Sequence, residues 1–412
     1  METYSEKMLV AINEGDSVEA QLQFENALKN DTPEIQAALG EQLMGAGFID
    51  EAKLIFEQLT EQFPSEYGLY IPLAEIAIEN DKTDDAFDYL EKIPKSDPSY
   101  VEALMVTADI YQVLGVPEVS IKKIEEAKTI MPNEPVLTLA LAEIYFTMNQ
   151  YVKSAELYEQ LRGTSITETI NLDERIGTAY GMVGEFEEAI PYLEKANQDD
   201  PTDERAFQLA ITYIQVGARD KAIVLLEQLR LLNPTFEALY LPLASALLDE
   251  GELPKAEEVI AEGIRQNPYS VDMFHLASDN AYRLGKIPDA EEYLRRAILL
   301  EDSKEFSIMK LANLLLADER YEDVIDTLSE FRESDEPQAF WTLAQAYNAL
   351  EEYSEAAMFF EKALPGLNHE PEFLKEYGLF LREEGQLEKA NALLSHYLEH
   401  VPDDMDVHEL LG

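Results

Sequence analysis

The strongest constraint on the fold is a pattern of seven residues that recurs about every 34 residues along nearly the whole chain. Its clearest copy, residues 177–201, contains Gly177, Tyr180, Gly184, Ala189, Leu193, Ala196 and Pro201. A small residue lets two helices approach closely, the central Gly ends the first helix, and the Pro stops the second. Each copy therefore predicts one helical hairpin.

The pattern predicts twelve such copies, and the central turn position is Gly in eight of them. The turn positions are Gly15, Gly47, Asp81, Gly115, Asn149, Gly184, Gly217, Gly251, Gly285, Glu319, Glu351 and Gly385. The small position of the second helix is Ala or Ser in every copy except one, which has Val324. The terminal Pro is present in seven copies and falls one residue late at Pro33 and Pro337.

This spacing resembles the tetratricopeptide repeat, in which a Leu-Gly pair, a Tyr, an Ala, a large apolar residue and a Pro recur. Within that family the chain resembles the long acidic cytoplasmic proteins of Gram-positive bacteria, the YpiA type. The resemblance implies an all-α fold: a right-handed α-α superhelical solenoid of about twelve helical hairpins. We expect such a stack to be elongated.

The repeat leaves no stretch for an independent domain, so we expect residues 1–412 to form a single solenoid. Residues 1–31 are predicted to be an N-terminal capping repeat, 32–168 and 169–302 regular repeats, 303–402 more degenerate repeats, and 403–412 a short C-terminal cap. The irregular residues 162–167 predict either a hinge or a longer connection. Because the last cap is short, self-association through the ends of the solenoid is left open.

The chain is strongly acidic, with 83 Asp and Glu against 31 Lys and Arg and a formal net charge of −52. Nucleic acid and anionic lipid surfaces would be repelled, whereas basic proteins or peptides would be attracted. The charge also favours solubility, and we interpret that as its main role. The absence of Cys excludes disulfides, thiolate catalysis and Cys-ligated metal sites. With no signal-like start and no apolar run of about 18 residues, the sequence predicts a cytoplasmic protein without membrane insertion.

The sequence contains no P-loop, GxGxxG, HExxH, EF-hand or GxSxG motif, so we predict neither an enzyme nor a cofactor. His396 and His400, four residues apart on a helix, could bind a divalent metal with Asp403, Asp404 or His408. Surface His pairs at this spacing are common, so no metal site is predicted.

The family resemblance implies that the first helix of each repeat lines a concave groove and points three positions, i, i+4 and i+7, at the ligand. The middle position is acidic in copies two to five: Glu41, Glu75, Asp109 and Glu143. The flanking positions supply apolar candidates: Ile71, Met105, Leu139, Phe146, Phe207, Leu241, Tyr282 and Trp341. Some of these side chains are expected to pack between repeats instead.

Together these features predict a non-enzymatic protein–protein interaction scaffold or adaptor that binds an apolar and basic partner segment in its groove. Family members that clamp a chaperone's carboxyl terminus carry Lys and Asn at successive groove positions. The corresponding pairs here are Ile71 with Glu75, Met105 with Asp109 and Leu139 with Glu143, so an acidic peptide tail is the wrong ligand for this half of the chain. The alternative is a peptide-sensing regulator that changes superhelix shape on ligand binding.

Overall fold

A computed structural model describes residues 2–300 and 304–412. Within these ranges the chain forms α-helices and short 3₁₀ turns and has no β-strand, which confirms the predicted all-α fold. The boundary predicted between residues 302 and 303 lies outside the described residues. Among the described helices, none has both the length and the apolar character that crossing a bilayer would require.

Contacts between residues divide the chain into two units, the first ending at Thr212 and the second beginning at Tyr213. The helices of the first unit, of which the last extends into the second unit, are α1 (Tyr4–Glu14), α2 (Ser17–Asn30), α3 (Pro33–Gly45), α4 (Ile49–Gln62), α5 (Tyr70–Glu79), α6 (Thr83–Leu90), α7 (Tyr100–Val113), α8 (Pro117–Ile130), α9 (Pro135–Thr147), α10 (Tyr151–Gln160), α11 (Leu172–Met182), α12 (Phe186–Asp199) and α13 (Asp203–Gln215). Short 3₁₀ turns occupy Tyr67–Leu69 and Ser165–Glu168.

The helices of the second unit are α14 (Arg219–Leu232), α15 (Tyr240–Asp249), α16 (Leu253–Gln266), α17 (Val271–Arg283), α18 (Ile287–Leu300), α19 (Glu305–Ala317), α20 (Tyr321–Thr327), α21 (Pro337–Ala349), α22 (Tyr353–Leu367), α23 (Pro371–Glu383), α24 (Leu387–His400) and α25 (Met405–Leu411). Its 3₁₀ turns are Glu237–Leu239 and Ser329–Glu333.

Consecutive helices pair into hairpins in both units. The first unit contains the pairs α1/α2, α3/α4, α5/α6, α7/α8, α9/α10 and α11/α12, and the second contains α15/α16, α17/α18, α19/α20, α21/α22 and α23/α24. The second helix of one hairpin also contacts the first helix of the next, as α4 does with α5 and α16 with α17. Each unit is therefore a stack of hairpins, as expected for tetratricopeptide repeats.

All twelve predicted turn positions have a positive φ. Eight are Gly, and the other four are Asp81 at 56°, Asn149 at 59°, Glu319 at 59° and Glu351 at 62°. A left-handed residue after the last helical turn redirects the chain into the second helix. The turn geometry thus follows the repeat even where the sequence supplies no Gly.

The predicted small positions lie where the two helices of a hairpin touch. A Cβ added to Gly177 in α11 would lie 2.7 Å from Cγ of Leu193 in α12. Where Ser replaces Ala, its hydroxyl is fully buried and donates to the first helix: Ser120 Oγ to the Ala108 carbonyl at 2.7 Å and Ser154 Oγ to the Ala142 carbonyl at 2.8 Å. Close helix approach therefore explains this column of the repeat.

The two late prolines and the chain ends have specific local roles. Pro33 and Pro337 occupy the first turn of the following helices, α3 and α21, where the missing N–H costs little. Near the start of the chain, the Asp31 carboxylate accepts from the backbone N–H of Ser5 at 2.8 Å and from its hydroxyl at 2.7 Å. At the other end, α25 packs on α24 and buries Val407 completely.

Candidate partner-binding face

Four acidic residues lie at equivalent places on the first helices of consecutive hairpins in the first unit. We call them the acidic row: Glu41 in α3, Glu75 in α5, Asp109 in α7 and Glu143 in α9. Glu41, Glu75 and Asp109 are exposed, and Glu143 is partly buried. Among the residues that the structure describes, no Lys or Arg forms an ion pair with the first three.

The members of the acidic row influence one another electrostatically. The pKa of the Glu75 carboxyl is raised, first because burial disfavours its charged form and then because Glu102, Glu79, Asp109 and Glu41 repel it. Burial likewise raises the pKa of the Asp109 carboxyl. The Glu75 and Asp109 carboxyls are thus incompletely hydrated although both residues are exposed, and Glu75 is in addition repelled by its acidic neighbours.

The fourth member of the row differs from the other three. Arg175 of α11, in the next hairpin, places its Nε 3.6 Å from Oε1 of Glu143. The chain itself therefore supplies a positive charge to Glu143, although an exposed pair of this kind contributes little to stability. Glu41, Glu75 and Asp109, which form no such pair with a described Lys or Arg, are called the open part of the row.

Much of the predicted apolar flank in the first unit packs into the protein. Ile71 is only 3% exposed and belongs to the hydrophobic core of the first hairpins, so it cannot line an open surface. Met105, Leu139, Phe146 and Phe207 are partly buried. The Phe146 ring also meets Tyr151 edge-on, with 5.0 Å between centroids. Only part of each of these side chains is therefore accessible to a partner.

In the second unit, Leu241 and Tyr282 remain the most open of the predicted residues, at 36% and 50% exposure. Tyr282 lines a pocket of about 260 Å³ together with Asp279 and Lys310. The Nζ of Lys310 lies 2.9 Å from the Asp279 carboxylate, so this acid, at the same repeat position as the acidic row, is neutralised within the chain.

Trp341, also predicted to bind a partner, takes part in a network between hairpins. Its indole N–H donates to Oε2 of Glu376 at 2.8 Å, and Gln345 Nε2 donates to the same oxygen at 2.9 Å. Burial raises the pKa of the Glu376 carboxyl, while these two hydrogen bonds act in the opposite direction. Because Trp341 is partly buried and also contacts Phe373, its role in packing is evident.

The irregular connection at residues 162–167 is held by charged groups that the sequence analysis missed. Arg162 pairs with Glu159 and with Asp173, each at 2.6 Å, and Lys195 Nζ lies 2.7 Å from Asp173. Although burial opposes ionisation, the hydrogen bonds from Arg162 and Lys195 lower the pKa of the Asp173 carboxyl. A hinge at this connection would have to break this network.

The histidines near the carboxyl terminus form a group that differs from the combinations considered from the sequence. His369, in the connection before α23, joins His396 and His400 of α24. Asp404 instead accepts hydrogen bonds from Lys375 at 2.6 Å and Tyr397 at 2.7 Å. The ring of His408 bonds to the Pro402 carbonyl at 2.9 Å. The sequence pattern relates residues that are four apart on one helix. Because His369 lies in a connection between helices, that pattern does not group it with His396 and His400.

Comparisons with known proteins agree with the repeat. Two YpiA-like tetratricopeptide models match residues 112–166 and, for the C-terminal repeats, 337–404. A tetratricopeptide repeat model matches residues 183–238 and 214–277, and an ARM repeat model of tetratricopeptide repeat protein 21 matches 5–113. The TPR repeat-containing protein YpiA of Bacillus subtilis is 35% identical over 86% of this chain and 84% of its own length. The chain belongs to the family of YpiA-like tetratricopeptide repeat proteins. This confirms the resemblance inferred from the sequence.

More distant relatives match smaller parts or differ more in sequence. Lipopolysaccharide assembly protein B of Escherichia coli K12 is 22% identical over 56% of this chain and 62% of its own length, so the chain spans less than two thirds of that relative. Among solved structures, YrrB, a TPR protein with an unusual peptide-binding site, has 18% identity and a TM-score of 0.39, covering 45% of this chain and 95% of its own.

Proposed function

We propose that the protein is a non-enzymatic interaction scaffold whose first-helix face, in the first unit, binds a basic and apolar segment of a partner protein. The observation that carries the proposal is the open part of the acidic row. Glu41, Glu75 and Asp109 come from three consecutive hairpins and have no basic partner among the described residues. Burial and mutual repulsion raise the pKa of Glu75. A bound Lys or Arg would relieve that repulsion.

The acidic row and the apolar residues would contribute differently to binding. Charges at a binding face mainly accelerate association and fix the orientation of the partner, whereas apolar anchors supply most of the affinity. An amphipathic helix or an extended peptide can present both kinds of side chain at once. In this chain, the partly exposed Met105 lies one helical turn before Asp109 and could serve as such an anchor.

The test begins with the intact protein as bait in the cytoplasm of its own cell, followed by mass spectrometry and purification of a stoichiometric partner. Binding kinetics are then measured for the double variant Glu75→Gln/Asp109→Asn. We expect slower association and a weaker dependence on salt, because fewer charges attract the partner. Folding should be retained, since changes at exposed positions usually alter stability by within about 0.5 kcal/mol.

A matched control is Glu118→Gln/Glu125→Gln. This variant also removes two negative charges, but from exposed positions of α8, which belongs to the same hairpin as Asp109. If net charge alone governed association, the two double variants would behave alike. Unchanged affinity and salt dependence in the acidic-row variant, together with loss of binding in Leu241→Ala, would instead assign recognition to the apolar side chains of the second unit.

A further inference from the structure

We propose that His369, His396 and His400 form a binding site for a divalent transition-metal ion of the Zn²⁺ type. Each residue offers a ring nitrogen, and these three atoms all lie within 4.8 Å of one another. The ring centroids of His396 and His400 are 5.3 Å apart, and those of His369 and His396 are 6.4 Å apart. Three imidazoles thus converge on one point of the surface.

The fold brings these rings together from two directions. His396 and His400 are one turn apart on α24, which places both rings on the same side of that helix. His369 follows the end of α22 at Leu367 and precedes α23. An ion held by all three would join this connection to the second helix of the following hairpin.

The geometry is close to what coordination needs. Zn–N bonds are about 2.0–2.1 Å long, so the three nitrogens must move somewhat closer together around one ion. His369 and His400 are exposed, and their rings can rotate without displacing core side chains. Three protein ligands leave a further coordination position for water or for a side chain of a partner.

The chemistry of the ligands selects the class of ion. Imidazole nitrogens suit Zn²⁺, Ni²⁺ and Cu²⁺, whereas Mg²⁺ and Ca²⁺ prefer oxygen ligands. The net charge of −52 attracts cations to the surface in general. In addition, the Glu399 carboxylate lies 3.9 Å from Nε2 of His396 and adds local negative charge. Asp404 and His408 are engaged elsewhere, so they do not complete the set.

The experiment measures Zn²⁺ binding to the full-length protein by titration calorimetry in a large excess of Mg²⁺. The Mg²⁺ occupies carboxylate sites, which are numerous in this chain, and competes poorly for imidazoles. We expect one equivalent of Zn²⁺ to bind. His396→Ala and His369→Ala should each weaken binding by at least about tenfold, because each removes one of three ligands.

The matched control is His408→Ala, which removes a histidine of the same region that lies outside the site. It should bind Zn²⁺ as tightly as the original protein. Zn²⁺ should also raise the unfolding temperature of the original protein and of His408→Ala, since an ion that binds only the folded state stabilises it. Because His369 is an exposed connection residue, His369→Ala should fold normally and lose this thermal response. Equal Zn²⁺ affinity in all these proteins, or binding that Mg²⁺ abolishes, would overturn the proposal.

Discussion

Two glycines of α11, four residues apart, differ in whether the packing of the helix leaves room for a Cβ atom. Gly177 faces Leu193 of α12, whereas a Cβ on Gly181 would meet no heavy atom within 4 Å. We predict that Gly177→Ala lowers the free energy of unfolding by about 1–3 kcal/mol, because it overpacks the contact. Gly181→Ala should raise it by roughly 0.5–1 kcal/mol through better helix propensity. Urea unfolding of the two variants compares them, and shifts of the same sign would contradict this explanation.

The turn residues Glu319 and Glu351 hold a left-handed conformation that is unfavourable for a side chain with a Cβ. We predict that Glu319→Gly and Glu351→Gly each stabilise the protein by about 0.5–1 kcal/mol. The control is Glu352→Gly, at the position after Glu351. There φ is −87°, so Gly relieves no strain and only increases the loss of chain entropy on folding. Thermal unfolding should therefore shift upwards for the first two variants and downwards for the control. A rise in all three would indicate an effect of charge removal instead.

At the scale of elements, neighbouring hairpins are joined by pairs of residues separated by roughly one repeat. Examples are Arg175 with Glu143, Lys310 with Asp279 and Trp341 with Glu376. The turn and small-residue columns could be predicted because they depend on contacts within one hairpin. The pairing of Glu143 could not, because it depends on how the next hairpin stacks. The sequence does contain opposite charges separated by about 30 residues, and this spacing could have indicated that such residues pair between neighbouring hairpins.

The raised pKa of Glu75 in α5 predicts how the stability of the fold depends on pH. Burial and repulsion raise this pKa above its unfolded value, so the folded state loses stability as pH rises through the titration of Glu75. We predict that Glu75→Gln is more stable than the original protein at pH 7. The difference should shrink as the pH falls towards about 4 and vanish well below it, where the carboxyl is protonated in both states.

Glu126 of α8 provides the opposite case for comparison. Hydrogen bonds from Lys95 at 2.7 Å and Tyr100 at 3.0 Å lower the pKa of its carboxyl, so its charged form stabilises the fold. Glu126→Gln should therefore be less stable than the original protein at pH 7, with a difference that also fades in acid. Thermal unfolding across this pH range measures both variants. If both variants were stabilised, or both destabilised, at pH 7, the local environments of Glu75 and Glu126 could not explain the change in stability.

At the scale of the whole molecule, α25 and the net charge are the two features that bear on self-association. α25 covers part of the last hairpin, with Val407 fully buried in the hydrophobic core of the second unit. The Asp404 carboxylate caps this helix at the Val407 N–H, and Lys375 and Tyr397 hold the pKa of Asp404 at about 2. The sequence predicted a short cap from a few apolar residues, but this tether depends on α23 and α24 and was not foreseen.

We predict that deleting residues 405–412 causes the protein to self-associate, because the apolar surface under Val407 becomes exposed. The net charge of −52 opposes that contact through long-range repulsion, which salt screens over a Debye length of about 10 Å at 0.1 M ionic strength. Association of the truncated protein should therefore increase as salt is added, and sedimentation velocity at low and high salt measures it. Met405→Ser, at a position of α25 that is 68% exposed, is the control and should sediment like the original protein. A truncated protein that remains monomeric at every salt concentration would show that α25 is dispensable for protecting this end of the stack.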